Sequence, residues 1–167
     1  MSGSAALAVL RQDAHVSVSS VGCFLRCSEQ YRHRYILHTV PACRAAALPF
    51  GSAVHEALGL FYARHMKAQA EPTPEELAAC FSDAWTREMK GRVPATFDEG
   101  DSADSLRDKG VAMLRVFHAE VPRPHKVIGV EEAFSIEIID PITGEIMPER
   151  LVGAFDAGRC QDRCRMN

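Results

Sequence analysis

Apolar residues follow a helical period through roughly the first three quarters of the chain and a strand period after that. After a loose, Ala-rich opening to about Asp13, Ser19 or Ser20 supplies an N-cap, and Phe24, Cys27, Tyr31 and Tyr35 recur at helical spacing, predicting a helix over 20–38. A connector containing Pro41 follows. Pro49 suits the first turn of a second helix, 49–68, whose apolar stripe is Phe50, Val54, Ala57, Leu58 and Phe61. Gly51, His55 and Gly59 fall on a neighbouring face, where the glycines would clear space for another element to approach the imidazole. Thr73-Pro74-Glu75-Glu76 is a capping box with proline at the first helical position, and it opens a helix over 74–90 carrying Leu77, Phe81, Trp85 and Met89. Residues 91–101, with Pro94 and Gly100, read as a loop. A fourth helix spans 102–121 with Leu106, Met113, Leu114, Phe117 and Val121 inward.

Pro122 and Pro124 end that helix, and the period then drops to two: Ile128, Val130, Phe134, Ile136 and Ile138 form one face of a strand over 127–139. Asp140-Pro141-Ile142-Thr143-Gly144 has the composition of a turn, and a second strand over 149–157 places Leu151, Gly153 and Phe155 on one face and Val152, Ala154 and Asp156 on the other. The expected organisation is a flexible stretch at 1–18, a helical front with a terminal hairpin over 19–157, and an irregular tail at 158–167. No internal repeat interrupts it.

With 167 residues and 47% apolar content the chain can bury a core. The net charge of −3 and a pI near 6.2 exclude a strongly basic nucleic-acid clamp but allow a site built on carboxylates. The apolar run over 5–10 is too short for a signal-peptide core or a membrane span, and no basic residue precedes it. The expectation is a cytoplasmic protein with no membrane association, whose six cysteines are reduced thiols or metal ligands rather than staples.

Taken alone, a histidine beside an apolar helix stripe, such as His55, is more often a hydrogen-bonded core residue than a ligand. Asp156 is more informative, because a carboxylate between Phe155 and Ala157 near a strand end needs a cation or several donors beside it. Glu131 and Glu132 raise the same question, one on each face of the first strand. Basic residues gather early, at Arg26, Arg32, Arg34 and Arg44, interleaved with Tyr31 and Tyr35 and opposed only by Glu29. That pattern suits a phosphate-contacting face and a solvated helix flank equally well.

The order Ser19-x4-Phe24-x2-Cys27-x3-Tyr31-x3-Tyr35, Gly51-x3-His55, Glu131-x2-Phe134 and Leu151-x-Gly153-x2-Asp156 resembles RecB-like nucleases of the PD-(D/E)XK superfamily. The pieces are individually weak but occur in order on the expected helix, helix, strand and strand. The resemblance implies an α/β, restriction-endonuclease-like fold, represented by its N-terminal helices and the first hairpin of a central mixed sheet. It implies hydrolysis of DNA phosphodiesters, with His55 and Asp156 holding Mg²⁺ or Mn²⁺ and Glu131 supporting the catalytic site. Arg26, Arg32, Arg34, Tyr31 and Tyr35 would then contact nucleic acid. DNA is the implied partner, and a helicase or recombination partner and a role in DNA repair are left open.

In such nucleases Gly-x-x-Asp leads on to an acid-x-lysine segment and a Gln-x-x-x-Tyr helix. Here the residues after Asp156 contain no lysine. The expectation is a chain cut or frame-shifted before that segment, with little activity of its own. Two other readings compete: a non-catalytic nucleic-acid-binding remnant of the fold, and a structural helical protein with a thiol–metal site. For the latter, Cys23, Cys27, Cys160 and Cys164 form two i, i+4 pairs that could hold zinc or an iron–sulfur cluster. That spacing is not the usual close pair, which favours Cys27 as a packing residue.

Overall fold

The computed structural model describes residues 3–124 and 126–160, with the backbone alone for residues 3–5, 126, 128, 131 and 156–160. The described residues divide into two compact units, one of residues 3–40 and 131–156 and the other built on Pro41–Val130.

The second unit is a helical core. Its α4, Ala47–Met66, buries Pro49, Ala53, Ala57 and Phe61, which recur every fourth residue and so form one stripe. On α5, Pro74–Met89, that stripe meets Leu77, Phe81, Ala84 and Trp85. The sequence pattern places the apolar face of α4 nearly correctly, but the seam runs through small alanines that let the helices approach. α5 begins as its capping box requires. Thr73 Oγ1 accepts the Glu76 amide at 3.2 Å, and the Glu76 carboxylate accepts the Thr73 amide at 2.8 Å. The same carboxylate takes both Arg64 guanidinium nitrogens from α4, at 2.8 and 3.1 Å, so one side chain caps one helix and ties it to another.

A third helix, α6, Ala103–Glu120, packs on α5 through Leu106 and Leu114. Met113, expected inward, is 46% exposed, because the helix turns its Leu106–Gly110–Leu114 stripe to the core instead. Gly110 faces Phe81 so closely that a β-carbon there would lie 2.1 Å from the ring. The loop expected over 91–101 contains a short strand, β3, Ala95–Thr96, paired in parallel with β2, Arg44–Ala45. Two-residue strands leave no periodic trace in a sequence.

The first unit departs most from expectation. Its opening, expected to be irregular, holds α1, Gly3–Leu10, and β1, His15–Ser17. The tertiary partner of β1 lies far along the chain: it runs parallel to β5, Ile146–Cys160, with Val16 opposite Leu151. β5 thus continues past Gly158, where an irregular tail was expected. β4, Lys126–Ile139, completes the order β1-β5-β4. The β4–β5 connection closes as its composition predicts: Asp140 Oδ1 accepts the amides of Ile142 and Thr143 at 2.7 and 3.1 Å, and Gly144 supplies a φ of 75°. The amide of Ile142, then that of Thr143, holds the Asp140 carboxyl below its ordinary range. Arg150 fastens the strand pair from β5, donating to Ser135 Oγ at 2.7 Å and to Glu137 at 3.2 Å.

The single helix expected over 20–38 is three pieces: α2, Val18–Arg26; α3, Ser28–Tyr31; and a π-helical turn, Arg32–Ile36. The break is at Cys27, whose backbone is extended. The Phe24–Cys27 stripe is not buried either. Phe24 is 54% exposed, and the inward residues of α2 are Ser20 and Cys23.

Two glycines make opposite predictions. Ala at Gly110 must displace a fully buried ring and should cost about 1–3 kcal/mol. Ala at Gly51, where an added β-carbon meets nothing within 4 Å, should stabilise by roughly 0.5–1 kcal/mol through helix propensity. Urea denaturation of the two variants measures both signs.

Between α4 and α5, Glu71 accepts from Arg123 Nε at 3.0 Å and lies 3.1 Å from His118 Nε2. The Arg123 hydrogen bond, opposed by partial burial, holds the Glu71 carboxyl below its ordinary range. Its contribution to stability is therefore present above the ordinary carboxylate range and lost as pH falls through the depressed value. A stability–pH profile should show that loss on the acid side, and Glu71→Gln should flatten it.

Candidate functional site

His55 stands on α4 two residues from both Ala53 and Ala57. At 100° per residue this puts it across the helix from the buried stripe, and its side chain is exposed. The core-histidine reading therefore does not hold. Beside Gly51, one of the two glycines that flank His55, the space is open. α4 is anchored on its other side, and that anchoring leaves the His55 face of the helix exposed.

Asp156 and Glu131 lie on β5 and β4, and their side chains fall outside the described residues. The framework around them is described. Gly153 has no side chain because the Phe134 ring covers it: a β-carbon there would lie 2.6 Å from that ring. The ring stacks on Phe155 with centroids 4.7 Å apart. On the opposite face of β5, Val152 is 1% exposed. The Glu131-x-x-Phe134 and Leu151-x-Gly153 motifs are thus in contact through Phe134 and Gly153, which locks the register of the strands that carry both carboxylates. Glu132 is exposed.

Among the described residues no three histidine, cysteine or acidic side chains form a metal-binding group. Of His55, Asp156 and Glu131, only His55 has a described side chain. A single exposed imidazole is a compatible donor but does not by itself make a site.

The basic segment shows more. Tyr31 packs edge-on against Phe24 with centroids 5.4 Å apart and lies 5.1 Å from Tyr35, and the Arg34 guanidinium sits 5.5 Å over the Tyr35 ring. Arg32 and His33 both approach Glu29, at 3.1 and 3.3 Å. Arg26, Arg32 and Arg34 are exposed, while Tyr31 and Tyr35 are half-buried. The break at Cys27 and the π-helical turn produce this ladder of rings, which a continuous helix would not give in the same form. Arg44 does not belong to it: its guanidinium binds the Glu88 carboxylate at 3.2 Å and the Glu88 carbonyl in the helical unit.

A cleft of about 210 Å³ near the start of α4, lined by Phe50, Thr96, Asp98, Asp101, Leu106 and Lys109 among others, contains none of the residues expected from the sequence to form a site. Its polar rim combines Asp98 and Asp101 of the loop before α6 with Thr96 of β3 and Lys109 of α6. No helix among the described residues is long and apolar enough to cross a membrane.

The family model of the PD-(D/E)XK nuclease superfamily matches residues 15–158. The matched span begins at β1 and includes His55, Glu131 and Asp156. The chain belongs to the PD-(D/E)XK nuclease superfamily, and its helices with a small mixed sheet agree with the restriction-endonuclease-like α/β fold of that class. Members of the superfamily are nucleases that generally use divalent metal ions, with DNA as the implied substrate. Nothing among curated proteins or solved structures matches.

Proposed function

We propose that the chain is a RecB-like member of the superfamily, a domain for metal-dependent hydrolysis of DNA. The observation that carries this reading is the superfamily match over 15–158, together with the four motifs occurring in order inside it. In this reading His55 and Asp156 hold Mg²⁺ or Mn²⁺, and Glu131 supports their site. A divalent ion so placed would stabilise the charge that develops on the phosphate oxygens and lower the pKa of a bound water. The chain's own part is positional. α4, fastened to α5 by the alanine seam and the Arg64–Glu76 pair, holds the imidazole, and the Phe134–Gly153 contact holds the strands of the two carboxylates.

Arg26, Arg32 and Arg34, with Tyr31 and Tyr35, form the nucleic-acid face in this proposal. Arginines exposed beside half-buried rings suit contact with backbone phosphate. The 167-residue polypeptide by itself is proposed to bind DNA and to cleave it poorly. A RecB-like subtype would imply an intracellular setting and a helicase or recombination partner.

Titration of the chain with Mn²⁺, read by electron paramagnetic resonance, should show a bound ion that weakens by about tenfold or more in His55→Ala and in Asp156→Asn, with circular dichroism unchanged. Equal binding in all three proteins would remove the metal assignment. Labelled DNA in the presence of Mg²⁺ or Mn²⁺ should be retained but cut slowly or not at all. Arg32→Ala with Arg34→Ala should weaken retention and lower its salt dependence by up to about 2 in log–log slope, one for each phosphate no longer neutralised. Unchanged retention would mean that DNA binds elsewhere on the chain.

A further inference from the structure

Gln30 sits between two thiols. Its backbone amide donates to Cys27 Sγ at 3.5 Å, and its side-chain carbonyl accepts from Cys23 Sγ at 3.7 Å. The Cys27 amide also donates to the Cys23 carbonyl at 2.9 Å, which places the two cysteines one helical turn apart. A rise of about 6 Å over four residues is within the Cα separation that a disulfide spans. Ordinarily an i, i+4 pair in a regular helix cannot close, because the backbone fixes the direction of both side chains. Cys27 escapes that restriction: it is the extended residue between α2 and α3, and its thiol already turns toward the residue that Cys23 contacts. Cys27 is exposed and Cys23 is 6% exposed, so one thiol meets a soluble oxidant and the other waits behind it. Cys80, in the other unit, is only partly accessible, and burial pushes its thiol up.

We infer that Cys23 and Cys27 are an oxidation site for a hydroperoxide, closing to a disulfide that removes both of Gln30's thiol contacts. Cys27 Sγ attacks one oxygen of the peroxide; the O–O bond breaks, giving a sulfenic acid and one molecule of water or alcohol. Cys23 Sγ then attacks the Cys27 sulfur, the S–O bond breaks, and the oxygen leaves with the Cys23 proton as water. The two sulfurs together give up two electrons and the hydroperoxide accepts them. Cys27 Sγ can no longer cap α3 in its present position, and Cys23 Sγ has no hydrogen left to donate. The segment they anchor is α3 and the π-helical turn, which carry Tyr31, Arg32, Arg34 and Tyr35. The chemistry of this pair does not depend on whether that surface binds DNA.

Trypsin provides a direct readout, because Arg26 lies between the two cysteines: cleavage after Arg11, Arg26 and Arg32 separates peptide 12–26 from peptide 27–32. The full chain, treated with hydrogen peroxide and alkylated before digestion, should yield these two peptides joined, and dithiothreitol should release them. Cys23→Ser and Cys27→Ser should each abolish the joined species. Hydrogen–deuterium exchange over residues 28–36 should be severalfold faster in the oxidised chain than in the reduced chain. Oxidation of Cys27 alone, or its linkage to Cys43 or Cys80 in place of Cys23, would overturn the site. A Cys23–Cys27 link with unchanged exchange over 28–36 would overturn the release of the segment.

Discussion

Phe81 can occupy its place only because residue 110 has no side chain. The ring fills the space where a β-carbon of α6 would be, and this close approach brings Leu106 and Leu114 onto α5. The same ring meets Phe50 of α4 edge-on, with centroids 5.7 Å apart, so one residue is shared by all three helices. The alanine seam of α4 lies against α5 on the same principle of small residues opposite large ones. Once that seam is seated the rotation of α4 is set, and His55 must face solvent. The exposure of the candidate ligand is thus a consequence of packing on the far side of its helix.

A related economy operates in the sheet, where Gly153 makes room for Phe134 and so fixes which residues of β4 and β5 lie opposite each other. A slip of one residue would drive the ring into a side chain and send the strand's small-residue face the wrong way. β1 then adds to β5 in parallel through three residues. So short a strand has little stability of its own; it exists because β5 offers an edge.

The segment after β1 combines local and tertiary effects differently. Ser17 and Ser20 form a reciprocal cap for α2, and Cys27 interrupts the helix and caps the next one with sulfur in place of oxygen. The interruption redirects the chain so that Phe24, Tyr31 and Tyr35 meet as a ladder of rings, with Arg34 over the last. Sulfur is a weak acceptor, and a cap built from it leaves the thiol partly accessible. The exposed arginines, the ladder of rings and a pair of thiols therefore share one short segment.

What the sequence determined by itself is what local chemistry enforces: the Thr73 capping box, the helices on either side of it, the Asp140–Gly144 turn, and the order of motifs that marks the superfamily. Each depends on residues a few positions apart, so spacing alone could reveal it. Tertiary structure decided which way α4 and α6 face, that β1 and β5 join across the chain, and that β2 pairs with β3. It also decided that a helical pattern over 20–38 breaks at Cys27, because a periodic stripe has no helix to maintain once its apolar residues are left exposed. These features depend on residues distant in the chain competing for the same buried volume and the same backbone hydrogen bonds, and the period of a sequence carries no record of that competition.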